Sequence, residues 1–258
     1  MIKNACAGAL LGLMFHGAAI AANQDAPLVL TTSFDSIKGK FGQTSETTAR
    51  SFTVGLTLVG ENTRLSAFLP YITLEGPGTV INGAVTGGAG GQRRSVKGVG
   101  DMLITASRDV VGTIQSKGFH LAATGLIKLP TGDDKQGLGT GKTDYAAQAD
   151  MAYRFQNGVS LTLNAGRQYY GQTPQLKLLD GNYTTAGIQV PLGSSLLMTV
   201  SAIQRDRILQ TAQERRERNL AFIYGLSRTS AVQLGMTTGS TTASPDRAIS
   251  LSLITQLD

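Results

Sequence analysis

Polar and apolar residues alternate strictly along residues 144–155. One parity comprises Asp144, Ala146, Gln148, Asp150, Ala152 and Arg154, and the other comprises Tyr145, Ala147, Ala149, Met151, Tyr153 and Phe155. Successive side chains of a β-strand point to opposite faces, so this pattern predicts a strand with one wet face and one apolar face. The apolar face carries aromatic residues at both ends, as in a transmembrane β-barrel strand whose lipid-facing band lies between aromatic girdles.

The same alternation recurs along the rest of the chain and predicts twelve strands. They are Leu28–Phe34, Phe52–Gly60, Thr63–Leu74, Val99–Arg108, Phe119–Leu129, Asp144–Phe155, Val159–Tyr170, Tyr183–Val190, Ser195–Arg205, Asn219–Ser227, Ala231–Thr238 and Arg247–Leu257. Most have about the 9–11 residues of a tilted strand that crosses a bilayer. Short, Asn- and Gly-rich connections alternate with long polar ones, which is typical of outer-membrane barrels. The sequence therefore predicts an all-β fold: a transmembrane antiparallel up-and-down β-barrel of about twelve strands. A soluble β-sandwich would also show alternation, but it would not need this rhythm of loops.

The N-terminus has the pattern of a signal peptide. Lys3 precedes an apolar, small-residue stretch from Ala5 to Ile20, and Ala19-Ile20-Ala21 fits a cleavage site. This divides the chain into a signal peptide, residues 1–21, and a barrel domain, residues 22–258. The pattern predicts export through the Sec pathway and, with the barrel, a location in the cell outer membrane.

Composition narrows the possible functions. Charged residues are 16% of the chain, below the roughly 25% usual for soluble domains. The one cysteine, Cys6, lies in the signal peptide, so the mature chain has no disulfide, thiol nucleophile or Cys-ligated zinc. Loss of Lys3 lowers the formal net charge from +6 to +5. Arginine clusters at residues 205–218 and 93–97 fit solvated loops or lumen charges better than a nucleic-acid surface, so no nucleic-acid partner is expected.

Seven charged residues lie on the polar parity of their predicted strands and are candidates to line the lumen. They are Arg64, Asp101, Lys128, Asp144, Asp150, Arg154 and Arg205. Buried charges must be paired or hydrated, so a lumen with both signs fits either a narrow polar pore or a filled, salt-bridged interior. Twelve strands lie between the filled eight-stranded barrel and the open barrel of 16–18 strands, and both alternatives stay open.

Two features could suggest chemistry. The glycine-rich stretch Gly137–Thr143 lacks the earlier glycine of a phosphate-binding loop, because Gln136 occupies that position. His120 is the only histidine after residue 21, and an outer-membrane lipid hydrolase would need a nucleophile and an orienting group beside it, for which Ser107 and Asn164 have suitable parity. We expect no catalytic residue, no metal site and no cofactor, and the histidine to be structural.

Several short motifs resemble a known family. They are Pro70-Tyr71, Glu75-Gly76-Pro77-Gly78, Gly98-Val99-Gly100-Asp101, Lys128-Leu129-Pro130-Thr131-Gly132-Asp133, Leu138-Gly139-Thr140-Gly141 with Asp144-Tyr145, and Ser244-Pro245-Asp246. Together they resemble the outer-membrane transporter-like family named for the meta-cleavage pathway of phenol degradation. The resemblance implies a Gram-negative outer-membrane barrel and passage of small molecules, including aromatic or hydrophobic ones.

Three functional hypotheses follow from the sequence. The first is a passive, porin-like channel for small solutes. The second is a structural or surface-interaction barrel with a filled lumen, whose loops Glu75–Gly98 and Asp206–Arg218 make the contacts. The third is an outer-membrane lipid hydrolase centred on His120. The expected partners are outer-membrane lipid and lipopolysaccharide, the barrel-assembly machinery with periplasmic chaperones, and a small-molecule solute.

Overall fold

Fifteen β-strands make up the regular structure of the residues that the computed structural model describes, namely 28–81, 84–87, 94–113, 116–172 and 177–257. The strands are β1 (Leu28–Gly39), β2 (Thr47–Val59), β3 (Thr63–Gly76), β4 (Gly78–Ile81), β5 (Ala84–Gly87), β6 (Arg94–Val99), β7 (Met102–Val111), β8 (Gly118–Leu129), β9 (Asp144–Arg154), β10 (Ser160–Tyr169), β11 (Gly181–Pro191), β12 (Leu196–Arg205), β13 (Arg215–Gly225), β14 (Ser230–Gly239) and β15 (Arg247–Leu257). Within these ranges, no helix is long and apolar enough to span a membrane. The predicted signal peptide, residues 1–21, lies outside the described residues.

Thirteen of these strands form one antiparallel sheet that closes on itself. Strands that follow each other in sequence pair from β1 to β3 and from β7 to β15, and β1 closes the sheet by pairing with β15 from Leu28↔Leu257 to Lys38↔Arg247. β6 and β7 pair with successive halves of β3. Together they act as one long strand, so the barrel has twelve strands around its circumference. The predicted twelve-stranded up-and-down barrel is confirmed.

The long strand made by β6 and β7 is interrupted by a β-bulge. Tyr71 pairs with Val99 and Phe68 pairs with Leu103, so the three residues 100–102 of this strand lie opposite the two residues 69–70 of β3. The bulge faces Pro70, which has no N–H to donate, and the Gly100 N–H donates to the Pro70 carbonyl at 2.8 Å. Proline in a sheet is tolerated at such a bulge. The extra residue leaves consecutive positions 100 and 101 both buried.

The outward face of the barrel is apolar and exposed. On β2, for example, Phe52, Val54, Leu56 and Leu58 are 41–51% exposed. Exposed aromatic side chains mark the two ends of this surface: Phe34, Phe52, Tyr71, Tyr145 and Tyr169 toward one end, and Phe119, Tyr153, Phe155 and Tyr224 toward the other. An apolar band of this extent around a closed barrel, bordered by aromatic side chains, indicates contact with lipid. The eight-residue step from Tyr145 to Tyr153 on a strand tilted by about 40° rises about 20 Å, close to the height of a bilayer-facing band.

Tight turns and long connections lie at opposite ends of the barrel. The connections after β2, β7, β9, β11 and β13 are short, and β1 begins and β15 ends at the same end as these turns. In outer-membrane barrels this is the periplasmic end, and the long connections face outside. The loop Glu75–Gly98 contains the hairpin β4–β5, which the sequence pattern does not predict.

Several strands extend further toward the outside than predicted. β1 continues to Gly39 rather than Phe34, β2 begins at Thr47 rather than Phe52, and β13 begins at Arg215 rather than Asn219. The alternation of apolar residues ends where the lipid ends, but the backbone ladder continues above it. The predicted loop Asp206–Arg218 is therefore too long, and its last four residues belong to β13.

Candidate functional site

The inner face of the barrel is polar and closely filled at mid-height. Inward side chains there are mostly Ser, Thr, Asn and Gln, and many are less than a tenth exposed, among them Ser33, Thr53, Gln148, Asn164, Gln189, Ser201, Asn219 and Gln233. In a wide aqueous pore these side chains would be open to solvent. The lumen is therefore narrow along its described walls.

The outer end of the barrel carries a cap, formed by the hairpin β4–β5 and the loop at residues 130–143. Val80 and Val85 of the hairpin and Leu138 of the loop are buried together against the inward side chains of Ile37 and Leu74. Backbone and side-chain hydrogen bonds join the two parts of the cap, since the Val80 N–H and the Thr79 hydroxyl both donate to the Gly137 carbonyl, at 3.0 and 3.1 Å. Entry from outside must therefore pass beside the cap.

Lys128 forms a buried ion cluster beneath the cap. Its Nζ lies 2.9 Å from an Asp101 carboxylate oxygen and 3.0 Å from one of Asp144, and it donates to the Thr140 hydroxyl at 2.7 Å. The three charged side chains are almost fully buried. Asp101 also accepts the Gly132 N–H at 3.0 Å. We call these four residues, Lys128, Asp101, Asp144 and Thr140, the Lys128 cluster.

The loop glycines of the cap fit around the Lys128 cluster. A Cβ at Gly139 would overlap the Asp101 carboxylate, and one at Gly132 would lie 2.7 Å from the Leu138 carbonyl oxygen. Thr131 bridges the bulge, because its hydroxyl donates to the Gly100 carbonyl and accepts the Met102 N–H, both at 2.8 Å. Contacts among the motifs at residues 98–101, 128–133 and 138–141 thus connect the bulge to the cap.

Two arginines meet near the outer end of β12 and β13. Arg205 and Arg215 are direct register partners, and both side chains point inward with 8% and 3% exposure. Arg215 binds Glu217 through Nη2 at 2.6 Å and Nε at 2.8 Å. The Arg205 guanidinium lies over the Tyr183 ring, 5.6 Å from its centroid. We call Arg205 and Arg215 the arginine pair.

The remaining predicted charges lie lower in the barrel. Arg64 pairs with Asp109 at 2.7 Å, and the same carboxylate oxygen lies 3.1 Å from His120 Nε2. Asp150 accepts hydrogen bonds from Thr124, Gln148 and Asn164, and Arg154 donates to Ser160 at 3.3 Å.

The residues considered for a hydrolase are bound elsewhere. The Ser107 hydroxyl contacts Arg64 and Thr124, and the Asn164 amide donates to Asp150, so neither of the two contacts His120. The histidine instead contacts Asp109. Within the described residues, no group of three or more His, Cys, Asp or Glu side chains is placed to hold a metal ion.

One side of the lumen has most of the polar atoms that lack a protein partner. Fourteen buried side-chain atoms in the described residues have no hydrogen-bond partner, and ten of them lie on or beside the inward face of β10–β14. These ten belong to Gln168, Tyr183, Thr185, Thr199, Ser201, Arg205, Arg215, Glu217, Asn219 and Gln233. Of the other four, two are the Asp101 and Asp144 oxygens that form ion pairs with Lys128. Buried polar groups need a partner, and here it must come from water or solute. We call this inward face the β10–β14 wall.

At the periplasmic end the character of the lumen changes. Val29, Ile223, Ala231 and Ile254 form a buried apolar cluster, which Val59 and Leu197 extend. These six residues come from six adjacent strands, β12–β15, β1 and β2, which is half of the circumference. The other half carries Arg64, Asp109, His120 and Arg154. The periplasmic apolar cluster therefore lies below the part of the β10–β14 wall that β12–β14 form.

Residues 23–196 match the protein family described as the MetA-pathway of phenol degradation, and this match spans more than half of the 258 residues. The chain belongs to this family. The resemblance inferred from the motifs is thereby confirmed. No curated protein matches the sequence of this MetA-pathway family member.

Solved structures share the barrel fold of this MetA-pathway family member. The COG4313 outer membrane channel from Pseudomonas putida F1 is 13% identical with a TM-score of 0.71, over 90% of this chain and 96% of that one. The KdgM porin is 6% identical with a TM-score of 0.58, over 89% and 99% of the two chains. The NanC porin is 7% identical with a TM-score of 0.54, over 90% and 99%. At these identities the likeness concerns the fold. With its lipid-facing band, the closed barrel confirms the predicted location in the outer membrane.

Three functional groups were not apparent from the sequence. They are Asp109, Arg215 and Glu217, which complete ion pairs of the lumen. Asp109 lies just after the end of its predicted strand, and the other two lie just before the start of theirs. A usable signal was present, because Asp109 continues the parity of Ser107, and Arg215 and Glu217 continue the parity of Asn219.

Proposed function

We propose that the protein is a passive, narrow channel that lets small molecules cross the outer membrane along the β10–β14 wall. The observation that carries this proposal is the set of unpartnered polar atoms on that wall. Water that satisfies them forms a hydrated path inside an otherwise packed barrel. Membership of a family named for phenol degradation, and the likeness of the fold to channels and porins, support the same function.

The path has two narrow regions. At the outside it runs beside the cap, whose buried apolar residues pack against inward residues of β1–β3 and β15. At the periplasmic end it meets the periplasmic apolar cluster. Hydrophobic constrictions can close a pore by losing their water, so this cluster is the proposed gate.

A matched pair of variants on β12 tests the proposal. Ser201 points inward and is 5% exposed, whereas its neighbour Val200 points to lipid and is 42% exposed. A phenyl ring at position 201 fills the path, so Ser201→Phe is expected to lose most of the single-channel conductance measured in planar bilayers. Val200→Phe adds the same ring to the lipid face and should conduct like the wild type.

Folding is checked separately by heat-shifted gel mobility, and Ser201→Val serves as a smaller blocking variant. A folded wild-type protein that never conducts, or conduction by Ser201→Phe equal to that of Val200→Phe, would refute the channel.

The first of these results favours the second candidate, a filled barrel that acts through its outer surface. The observation in its favour is the dense packing of the lumen and the cap. Residues 179–180, residues of the loop 206–214, and Arg216 and Thr241 line an open cavity of about 780 Å³ that such contacts could use.

We also propose the partners that this location requires. Outer-membrane lipid and lipopolysaccharide surround the apolar band, and barrel-assembly machinery with periplasmic chaperones inserts the chain. Arg167 supports the lipid contact, because it lies exposed on the outward face of β10 with its guanidinium 5.6 Å from the Tyr169 ring centroid. That position, near the outer end of the strand, suits a headgroup phosphate.

A further inference from the structure

The arginine pair has too little negative charge around it. Arg205 and Arg215 stand directly opposite each other on adjacent strands, and like charges in that position repel. Glu217 is the carboxylate that binds Arg215, whereas Arg205 forms neither an ion pair nor a hydrogen bond with any described residue. Two guanidinium groups and one carboxylate leave a net charge of +1 in a buried position. Burial of an unpaired charge is costly, so the site favours an anion.

The free donors around the arginine pair lie on four adjacent strands, β10–β13. Arg205 Nε, Arg215 Nη1 and the Tyr183 hydroxyl are buried and have no partner. Gln168 Nε2 on β10 is also free. Each of these four residues is more than nine-tenths buried. They lie at the outer end of the β10–β14 wall, where a solute would first enter the lumen.

We propose that the arginine pair is a binding site for the carboxylate of a small organic acid, for which benzoate serves as the probe. The planar guanidinium fork matches a carboxylate with two parallel hydrogen bonds, and the net charge of +1 matches a monoanion. The free Oε2 of Glu217 disfavours a dianion such as hydrogen phosphate. Tyr183, the direct register partner of Arg205, is buried with its ring beneath the Arg205 guanidinium. The inference rests on the proposed channel and names the class of solute that it selects.

The other charge clusters of the lumen do not offer such a site. In the Lys128 cluster one cation already serves two carboxylates. Near the periplasmic end, Asp109 is shared between Arg64 and His120. The arginine pair differs from both because its charge is positive, buried and incompletely paired.

Binding is tested first on the folded protein in detergent, without any transport. The probes are sodium benzoate, benzyl alcohol as the neutral ring, and sodium chloride at the same ionic strength. Benzoate is expected to raise the Tm of the wild type, and the other two are not. Arg205→Gln should raise the Tm of the ligand-free protein, because a repulsion is removed, and should weaken benzoate binding about tenfold or more. Arg205→Lys keeps the charge but loses the fork, so its preference for benzoate over chloride should shrink.

The matched control is Arg218→Gln, which removes the same charge from an exposed, outward position on β13. It should bind benzoate like the wild type. Equal effects of chloride and benzoate, or equal loss of binding in Arg218→Gln, would overturn the inference. Bilayer recordings separate it from the channel: conductance without any response to benzoate refutes the site alone, and benzoate binding to a folded protein without conductance refutes the channel alone.

Discussion

Replacing Lys128 by Met removes the one cation shared by two buried carboxylates. In the wild type, Lys128 Nζ lies 2.9 Å from Asp101 and 3.0 Å from Asp144, and all three side chains are less than a tenth exposed. Methionine has a similar length and volume, so the substitution leaves the packing nearly unchanged. What it removes is the positive charge and the hydrogen bond to Thr140.

The expected loss of stability is large because the two carboxylates stay buried. Breaking a buried ion pair by removing one partner costs about 3–5 kcal/mol, and here two anions lose their partner and then repel each other. The backbone N–H groups of Gly132 and Gly171 still donate to these carboxylates, at 3.0 and 2.9 Å, which offsets part of the cost. We therefore expect Lys128→Met to lower the free energy of unfolding by about 3 kcal/mol or more.

The measurement is unfolding by urea in lipid vesicles, followed by gel mobility and by tyrosine fluorescence, since the chain has no tryptophan. Lys97→Met is the control, because Lys97 is exposed on the outward face of β6 and its removal changes the net charge equally. Adding Asp101→Asn and Asp144→Asn to Lys128→Met should restore most of the lost stability. Equal stability of Lys128→Met and Lys97→Met would refute the role of the Lys128 cluster, and failure of the triple variant to recover would refute its electrostatic explanation.

Two further predictions concern the gate and the lipid contact. Ile223→Ala shortens a side chain of the periplasmic apolar cluster and should increase the single-channel conductance, whereas Phe222→Ala on the lipid face should not. Equal conductance of the two variants would contradict the proposed gate. Arg167→Gln should reduce the number of lipid A molecules that the folded barrel retains in native mass spectrometry. Arg108 is exposed near the periplasmic end, so Arg108→Gln should not reduce this number. Equal retention by the two variants would show that Arg167 does not contact a phosphate.

The membrane-spanning part of the fold could be predicted because lipid and lumen impose opposite requirements on successive residues. On β9 this requirement alternates from Asp144 to Arg154, so a period of two predicts both the strand and its orientation. The seven predicted charges lie on the inward parity in the structure, and their role in a solute path stays a prediction. Above the membrane both faces of β13 carry charged side chains at residues 215–218, so the apolar alternation that marks the membrane-spanning part does not extend to Arg215.

The contacts between strands could not be predicted from alternation. Register decides that Arg205 stands opposite Arg215, and register follows from turn geometry and the hydrogen-bond ladder rather than from a single strand. The bulge opposite Pro70 adds a residue that period-two counting cannot locate. The cap depends on contacts between distant loops, such as Val80 with Gly137, which leave no period in the sequence.

The most recognisable motifs of the chain therefore form contacts that stabilise the barrel and its cap, and they do not line the proposed solute path. The strings at residues 98–101 and 128–141 build the Lys128 cluster, the bulge and the cap, and they lie within the residues 23–196 that match the family. Much of the β10–β14 wall lies beyond that match, including Ser201 and both members of the arginine pair. A barrel can keep its frame while small polar or charged side chains on one wall are exchanged, because such exchanges leave the ladder intact. We therefore expect the selectivity of the proposed channel to depend on residues outside the family match, and Arg205 is where it should be measurable.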